Sequence, residues 1–379
     1  MISQEQLFAW CEAHKAEQLA LLKELAAIPS PSHHEEKRAE FIKAWLEKAG
    51  AKNVTIDPAL NVLLPFGDCS KPCVVYAAHI DVVFPDTTPL PVVEKPDGTL
   101  HAPGVGDDTA NVVALMLMAK YIFENRLAPK EPVMFVFNSC EEGLGNLKGT
   151  RQLFSDRKDL IKEFISFDGL YDSLVNRAVG SERWRIKATT IGGHSYGSFG
   201  NPNAIAWLAK LIGVLDAQPV PTMEGRKTTY NFGTISGGTS VNTIAQNAEM
   251  LYEYRSDEFA HLAQMRGQLK KAVESLECDK AHFELEIVGE RPCGVDVDPA
   301  AEEALLARCA ASVQAVIGKM PGRRASSTDA NIPFSLGVPA VTFGLYIGKG
   351  AHTREEWIEI DSIYTGLKIG MLTVMPHFE

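Results

Sequence analysis

The apolar positions of the first half of the chain fall into two kinds of run. Leu7, Ala9, Trp10, Leu19, Leu22 and Leu25 stand at helical spacing within Ile2 to Ile28, a run that stops at Pro29-Ser30-Pro31. Phe41, Ile42, Trp45 and Leu46 predict a second helix over His33 to Ala49, capped by Ser32 and closed by Gly50. Val112, Leu115, Met116, Ala119 and Ile122 predict a third. Between them lie short, nearly continuous apolar runs. Val54 to Phe66 reads as two short strands, and Pro72 to Ile80, Glu131 to Asn138 and Glu163 to Phe167 read as buried parallel strands of an α/β sheet.

From about residue 181 the order changes. A strand (Arg183 to Thr190), a helix (Asn203 to Leu215), two strands (Thr228 to Ile235, Met250 to Arg255), a helix (Asp257 to Leu276) and a strand (His282 to Val288) follow in turn. That β-α-β-β-α-β order predicts a ferredoxin-like α+β unit inserted into the first domain. The first pattern then resumes with a helix at Pro299 to Ile317, a strand at Pro339 to Leu345, a loop carrying His352 and a closing helix at Ile363 to Met375. The predicted organisation is a mixed-sheet α/β domain formed by residues 1–180 and 291–379, with residues 181–290 inserted.

Composition narrows the class. With 379 residues, 45% hydrophobic and 22% charged, the chain has material for a sizeable core in two domains. Its longest apolar run, Val112 to Ala119, is too short to span a bilayer, and its polar N-terminus lacks a basic region followed by an apolar one, so a cytoplasmic location and no membrane partner are expected. A net charge of -11 without a Lys/Arg run argues against nucleic acid. The seven cysteines are scattered and odd in number, which reads as reduced thiols.

The candidate chemistry sits at strand ends. The Pro72 run delivers His79, and Asp81 shares its face, so a carboxylate and an imidazole stand ready as a hydrogen-bonded pair or as a metal ligand with its orienting partner. The Glu131 run ends on Glu141-Glu142, and the Glu163 run on Asp168. Carboxyl ends of strands in open α/β sheets form the ligand crevice, so three such endings in succession point to a metal site. Asp107-Asp108 follow Gly104 and Gly106 at a helix start, where N-capping and a ligand role are both open. His33 and His34 fall in a charged first turn and read as solvated.

Taken together, Ala-His-Ile-Asp at 78–81, Gly-Val-Gly-Asp-Asp at 104–108, Cys-Glu-Glu-Gly at 140–143, Asp168, Gly-Gly-His-Ser at 192–195, Ser-Thr-Asp-Ala-Asn at 327–331 and Ala-His-Thr at 351–353 resemble the M20 family of dinuclear zinc peptidases and amidohydrolases. The resemblance implies a zinc-peptidase catalytic domain with a lid or dimerisation domain at 181–290. It also implies two divalent metal ions, Zn2+ first with Co2+ or Mn2+ as alternatives. By it His79 and Asp168 bind one ion, His352 and Glu142 the other, and Asp107 bridges them. Asp81 would orient His79, and Glu141 would be the general base for a metal-activated water. His194 would reach a partner's site in a homodimer, Arg255 resembles the lid arginine of the tripeptidase, peptidase T-like branch, and Asn242 would touch substrate. Thr109 and Ala110 stand where many relatives carry Lys and Gly. Asp168 resembles the aminopeptidases and dipeptidases at that position, which points to short peptides, with N-acyl amino acids as the alternative substrate.

A serine esterase is the rival from another class. Gly193-His194-Ser195-Tyr196-Gly197 fits a nucleophile elbow, with Asp329 and His352 in the expected order. It requires Ser195 to lead straight into a helix, whereas Ser198 to Pro202 intervenes, and it leaves His79, Asp107, Glu142 and Asp168 unused.

Overall fold

The structure, a computed structural model, describes residues 3–295 and 297–379. The chain divides into two compact units, Met1–Ala178 with Val295–Glu379, and Val179–Gly294.

In the first unit an eight-stranded sheet runs in the order Thr55–Ile56, Val62–Phe66, Val133–Asn138, Cys73–His79, Ile161–Ser166, Ala340–Thr342, Ser173–Ala178, Gly322–Ser326. Cys73–His79 lies at its heart, parallel to both neighbours, with His79 opposite Asn138 and Ala77 opposite Ser166. Every residue of that strand is buried because both sheet faces are covered. Val74, Tyr76 and Ala78 pack into the larger core with the helices Asn111–Glu124 and Ile360–Val374, while Val75 and Ala77 join Leu153, Phe154 and Phe164 on the other face. The continuous apolar run is therefore the sequence of a strand with no solvent side.

Two helix expectations change. The run from Ile2, whose first position lies outside the described residues, forms two helices, Gln4–Ala13 and Lys15–Ala26, separated at His14. Ser32 does not cap the next helix, which spans Glu36–Lys48. Its hydroxyl instead donates to Asp81 Oδ2 at 2.6 Å, a charge-assisted bond that outweighs a cap to exposed amides.

The second unit is a four-stranded antiparallel sheet in the order Thr228–Gly237, Asn247–Ser256, Gly180–Thr189, His282–Arg291. The helices Ala204–Asp216 and Phe259–Leu276 supply Leu208, Leu211, Met265 and Leu269 to a core with Ile186, Met250 and Tyr252 of the sheet. This is the β-α-β-β-α-β arrangement read from the sequence, and Thr228–Gly237 is an edge strand.

Candidate metal centre

Each candidate side chain of the first unit is delivered by the end of a strand or by a loop leaving one. His79 closes the central strand and is 1% exposed. Its Nδ1 bonds the main-chain oxygen of Asp81 at 3.1 Å, with the Asp81 carboxylate at 3.3 Å, and this leaves Nε2 to face Asp107 Oδ1 at 3.1 Å. Asp107 Oδ2 lies 3.1 Å from Nε2 of His352, which in turn is 3.3 Å from Glu142 Oε2. One carboxylate thus spans two imidazoles.

Ligand atoms of His79, Asp107, Asp108 and Asp168 lie within 4.8 Å of one another, as do those of Asp107, Glu142 and His352, and those of His79, Glu141 and Glu142. Asp107 belongs to two of these groups. Imidazole and carboxylate donors in this proportion suit a divalent transition ion such as zinc, and a histidine whose other ring nitrogen is already hydrogen-bonded has the usual arrangement of a ligand.

The backbone that carries Asp107 is shaped by two glycines. Gly104 has φ +71°, and a Cβ there would meet Val82 at 2.3 Å; at Gly106 a Cβ would meet the Tyr346 ring at 2.6 Å. The turn they allow separates the two aspartates. Asp107 faces the histidines, whereas Asp108 turns inward, accepting from the His79 amide at 2.9 Å and from Asn111 Nδ2 at 2.5 Å. Neither aspartate caps the following helix by a side-chain hydrogen bond, and the Asp107 oxygens stand beside the two histidines.

Three residues that the sequence reading did not assign to the site hold this arrangement together. Ser32 is bonded to Asp81, whose oxygens also accept the amides of Glu141 at 2.9 Å and Glu142 at 3.0 Å. Glu356 is buried and accepts the amides of Gly104, Gly106 and Asp107. Arg38 is 1% exposed and donates to the carbonyls of Ile28 and Ile80 and to the Thr109 hydroxyl. Its burial lowers the guanidinium pKa to about 10, opposed by the charge of Asp81. Glu356 lies four positions after the singled-out His352, in a Glu355-Glu356 pair, and that proximity is the signal that could have found it.

Without a cation, protons balance the crowded carboxylates. Hydrogen bonds to Asp107 and Glu142 raise His352 to about 11. Burial opposes charge on His79, but Asp108, Asp107 and Asp81 raise its pKa well above the ordinary range. Burial and the charge of Asp107 raise Asp168 to about 7, and burial likewise raises Glu142. Burial also works against ionised Asp107, yet its bonds with His352 and His79 hold it below the ordinary carboxylate range. Carboxylates crowded in this way suit a divalent cation.

The sequence profile of peptidase family M20/M25/M40 matches residues 75–375. The chain belongs to that family. It is a hydrolase of the metallopeptidase class, with candidate metal-ligand groups where the family match lies. The chain is 24% identical over 361 residues to the protein YqjE of Bacillus subtilis (strain 168), covering 90% of this chain and 92% of that one. Among solved structures it resembles a tripeptidase from Staphylococcus aureus, with 21% identity, a TM-score of 0.74, and 95% and 97% of the two chains covered. It also resembles the di-peptidase Dug1p from Saccharomyces cerevisiae, with 17% identity, a TM-score of 0.76, and 98% of each chain covered. At those identities the two structures share the M20 fold with this chain.

The remaining candidates lie in the second unit. His194 is exposed, and its Nδ1 accepts the amides of Tyr196 and Gly197. Gly193–His194 pairs with Thr243–Ile244, which brings Asn242 alongside, and the Asn242 carbonyl accepts the Ser195 amide at 2.9 Å. Arg255 is bound by Glu253 through two bonds of 3.0 and 3.2 Å. Ser195 opens a stretch of turn, and the next helix begins at Ala204, so no elbow is formed. Asp329, the rival's acid, is buried with its oxygens bonded to Asn138 and Thr150.

Proposed function

We propose that the protein is a dinuclear metallopeptidase that releases the N-terminal residue of di- and tripeptides. The observation that carries the reading is Asp107, whose two carboxylate oxygens each stand 3.1 Å from the Nε2 of a different histidine. His79 and Asp168 would hold one divalent cation, His352 and Glu142 the other, and Asp107 both. Zn2+ suits the donors best, and Co2+ or Mn2+ would also be accepted. When bound, such a pair lowers the pKa of a shared water toward ~7 and polarises the scissile carbonyl.

The chain's own residues do the rest. Glu141 takes the proton of the attacking water and returns it to the leaving amine. Asp81 fixes the base and the ligand together, since its two oxygens hold the amides of Glu141 and Glu142. Positioning of this kind decides whether a general base lies within reach of its proton.

The second unit has two tasks in this reading, self-association and substrate recognition. His194 would stabilise the oxyanion in a partner's centre, Arg255 would grip the peptide carboxylate, and Asn242 would contact the substrate. Exposure supports this. Tyr196, Phe199 and Val241 are 89%, 90% and 102% exposed beside His194 and Asn242, and Thr228–Gly237 leaves a free sheet edge. A cytoplasmic location without a membrane or nucleic-acid partner accords with the charge of -11, and no helix among the described residues is long and apolar enough to cross a membrane.

The test is metal content per chain measured beside hydrolysis of tripeptides, dipeptides, N-acyl amino acids and a simple ester, with and without chelator. Two metals and chelator-sensitive peptide cleavage are expected. Preference for N-acyl amino acids would move the enzyme to the amidohydrolase branch, and chelator-resistant ester cleavage would overturn the reading.

A further inference from the structure

His352 has an unusual situation for a group on which a metal site depends. Its side chain is 58% exposed, its φ is +65°, and it lies on a loop rather than at a strand end. Something must hold that loop against the Asp107 turn. Arg354 anchors one side, with bonds of 3.0 and 2.6 Å to Asp86 and its guanidinium over the Phe84 ring. These contacts tie the loop to residues 84–86 and do not reach Asp107.

Glu356 does. It is 2% exposed, whereas its neighbour Glu355 is exposed. Its Oε2 accepts the Gly104 amide at 2.7 Å, and its Oε1 accepts the amides of Gly106 at 2.9 Å and Asp107 at 2.8 Å. Three convergent main-chain N–H groups form a small anion-binding concavity, here filled by a side chain of the protein itself. Only a carboxylate matches it, because all three partners donate and an amide would turn its own NH2 toward one of them. The residue that closes this cradle is four positions from His352, and one of the amides in it is that of Asp107. The short strand that follows, Trp357–Glu359, pairs with Thr99–His101 just before the Gly104 turn and fixes the direction from which Glu356 arrives.

We propose that Glu356 is the positioning residue that brings Asp107 and His352 into one cation site, so that its loss weakens the Asp107–Glu142–His352 position, which depends on it through two ligands, more than the His79 position, which depends on it through Asp107 alone. The inference rests on the dinuclear reading above. Asp81 offers the parallel within the same centre, a buried carboxylate that ties the Glu141–Glu142 amides to the strand carrying His79. Asp81 and Glu356 thus each anchor the backbone of residues that face the centre.

The test is Co2+ and Zn2+ titration of metal-free full-length protein, followed by calorimetry and cobalt absorption, with kcat and KM measured in parallel. Wild type binds two equivalents. Glu356→Gln weakens one equivalent about 10- to 100-fold, the range for loss of a group that orients metal ligands, and the other by a smaller factor. Its kcat falls at limiting metal while KM changes little, and Glu355→Gln behaves as wild type. Combined with His352→Ala, Glu356→Gln adds less than its effect alone, since the two share the Asp107–Glu142–His352 position. Glu356→Gln binding both equivalents as tightly as wild type would overturn the proposal. Should that variant fail to fold, Glu356→Asp carries the test, with a weakened single equivalent in support and wild-type binding against. Wild type taking up one equivalent alone would defeat the dinuclear reading itself, and this inference with it.

Discussion

His79 and His352 present the same atom to the same carboxylate at the same distance, yet they are built in opposite ways. His79 is 1% exposed, ends a strand paired on both sides, and has its amide bonded to Asp108 and its Nδ1 to Asp81. His352 is mostly exposed and stands on a loop held by Arg354 and Glu356. The first half of the centre is part of the core and the second is fastened onto it. If this is the two-cation site proposed above, it is not uniformly rigid, and its two positions should differ in affinity and in their effect on stability.

The sharpest way to break this comparison is to remove each histidine in turn. His79→Ala leaves the buried Asp81 and the adjoining Asp107 without the imidazole between them, and breaking such a buried pair costs about 3–5 kcal/mol. His352→Ala removes a half-exposed group and should change the stability of the metal-free protein by about 1 kcal/mol or less. Denaturant titrations of the two variants giving equal losses would erase the distinction.

Glu141→Gln separates chemistry from assembly. It should lower kcat by roughly 10^2- to 10^4-fold while both metals stay bound, measured by steady-state kinetics with metal analysis. Ser32→Ala removes the hydroxyl from Asp81 Oδ2 and should cost roughly 1.5 kcal/mol with two metals retained, read from chemical denaturation. No change there would return Ser32 to a surface role.

The smallest effects are in pH. Asp168 ordinarily titrates at 3.8 and here at about 7, so the folded protein holds a proton that the unfolded chain has released, and stability falls as pH rises from 3.8 to 7. His352 is raised from 6.5 to about 11, so its contribution is complete below 6.5 and is lost as pH rises toward 11. Thermal midpoints of the metal-free protein should therefore decline along two limbs. Asp168→Asn flattens the lower limb and His352→Ala the upper, by a few degrees each.

The half of the centre built on strands was legible in the sequence because a strand buried on both faces must be a continuous apolar run, and what interrupts it at its end stands out. His79 and Asp168, and the Glu141-Glu142 pair that serves both halves, stand out in that way. The groups that bind backbone were not legible. Glu356 meets Gly104 across 252 positions, and Ser32 meets Asp81 across 49, so no local pattern marks them. Ser32 was misread because a serine before a charged helical stretch satisfies the capping pattern equally well. Arg38 was hidden because an arginine in an amphipathic helix reads as solvated, whereas here its guanidinium fills the space under Ile80 and Thr109. In the second unit the order of elements was legible from periodicity alone, since strand and helix repeats differ.

The central claim is that one carboxylate joins a core-built and a loop-built cation position. Stepwise metal titration of the metal-free wild type beside His352→Ala tests it most directly. The account predicts two equivalents of unequal affinity in the wild type and retention of the tighter one alone in His352→Ala. A single equivalent in the wild type, or loss of both in His352→Ala with the fold intact, would contradict it.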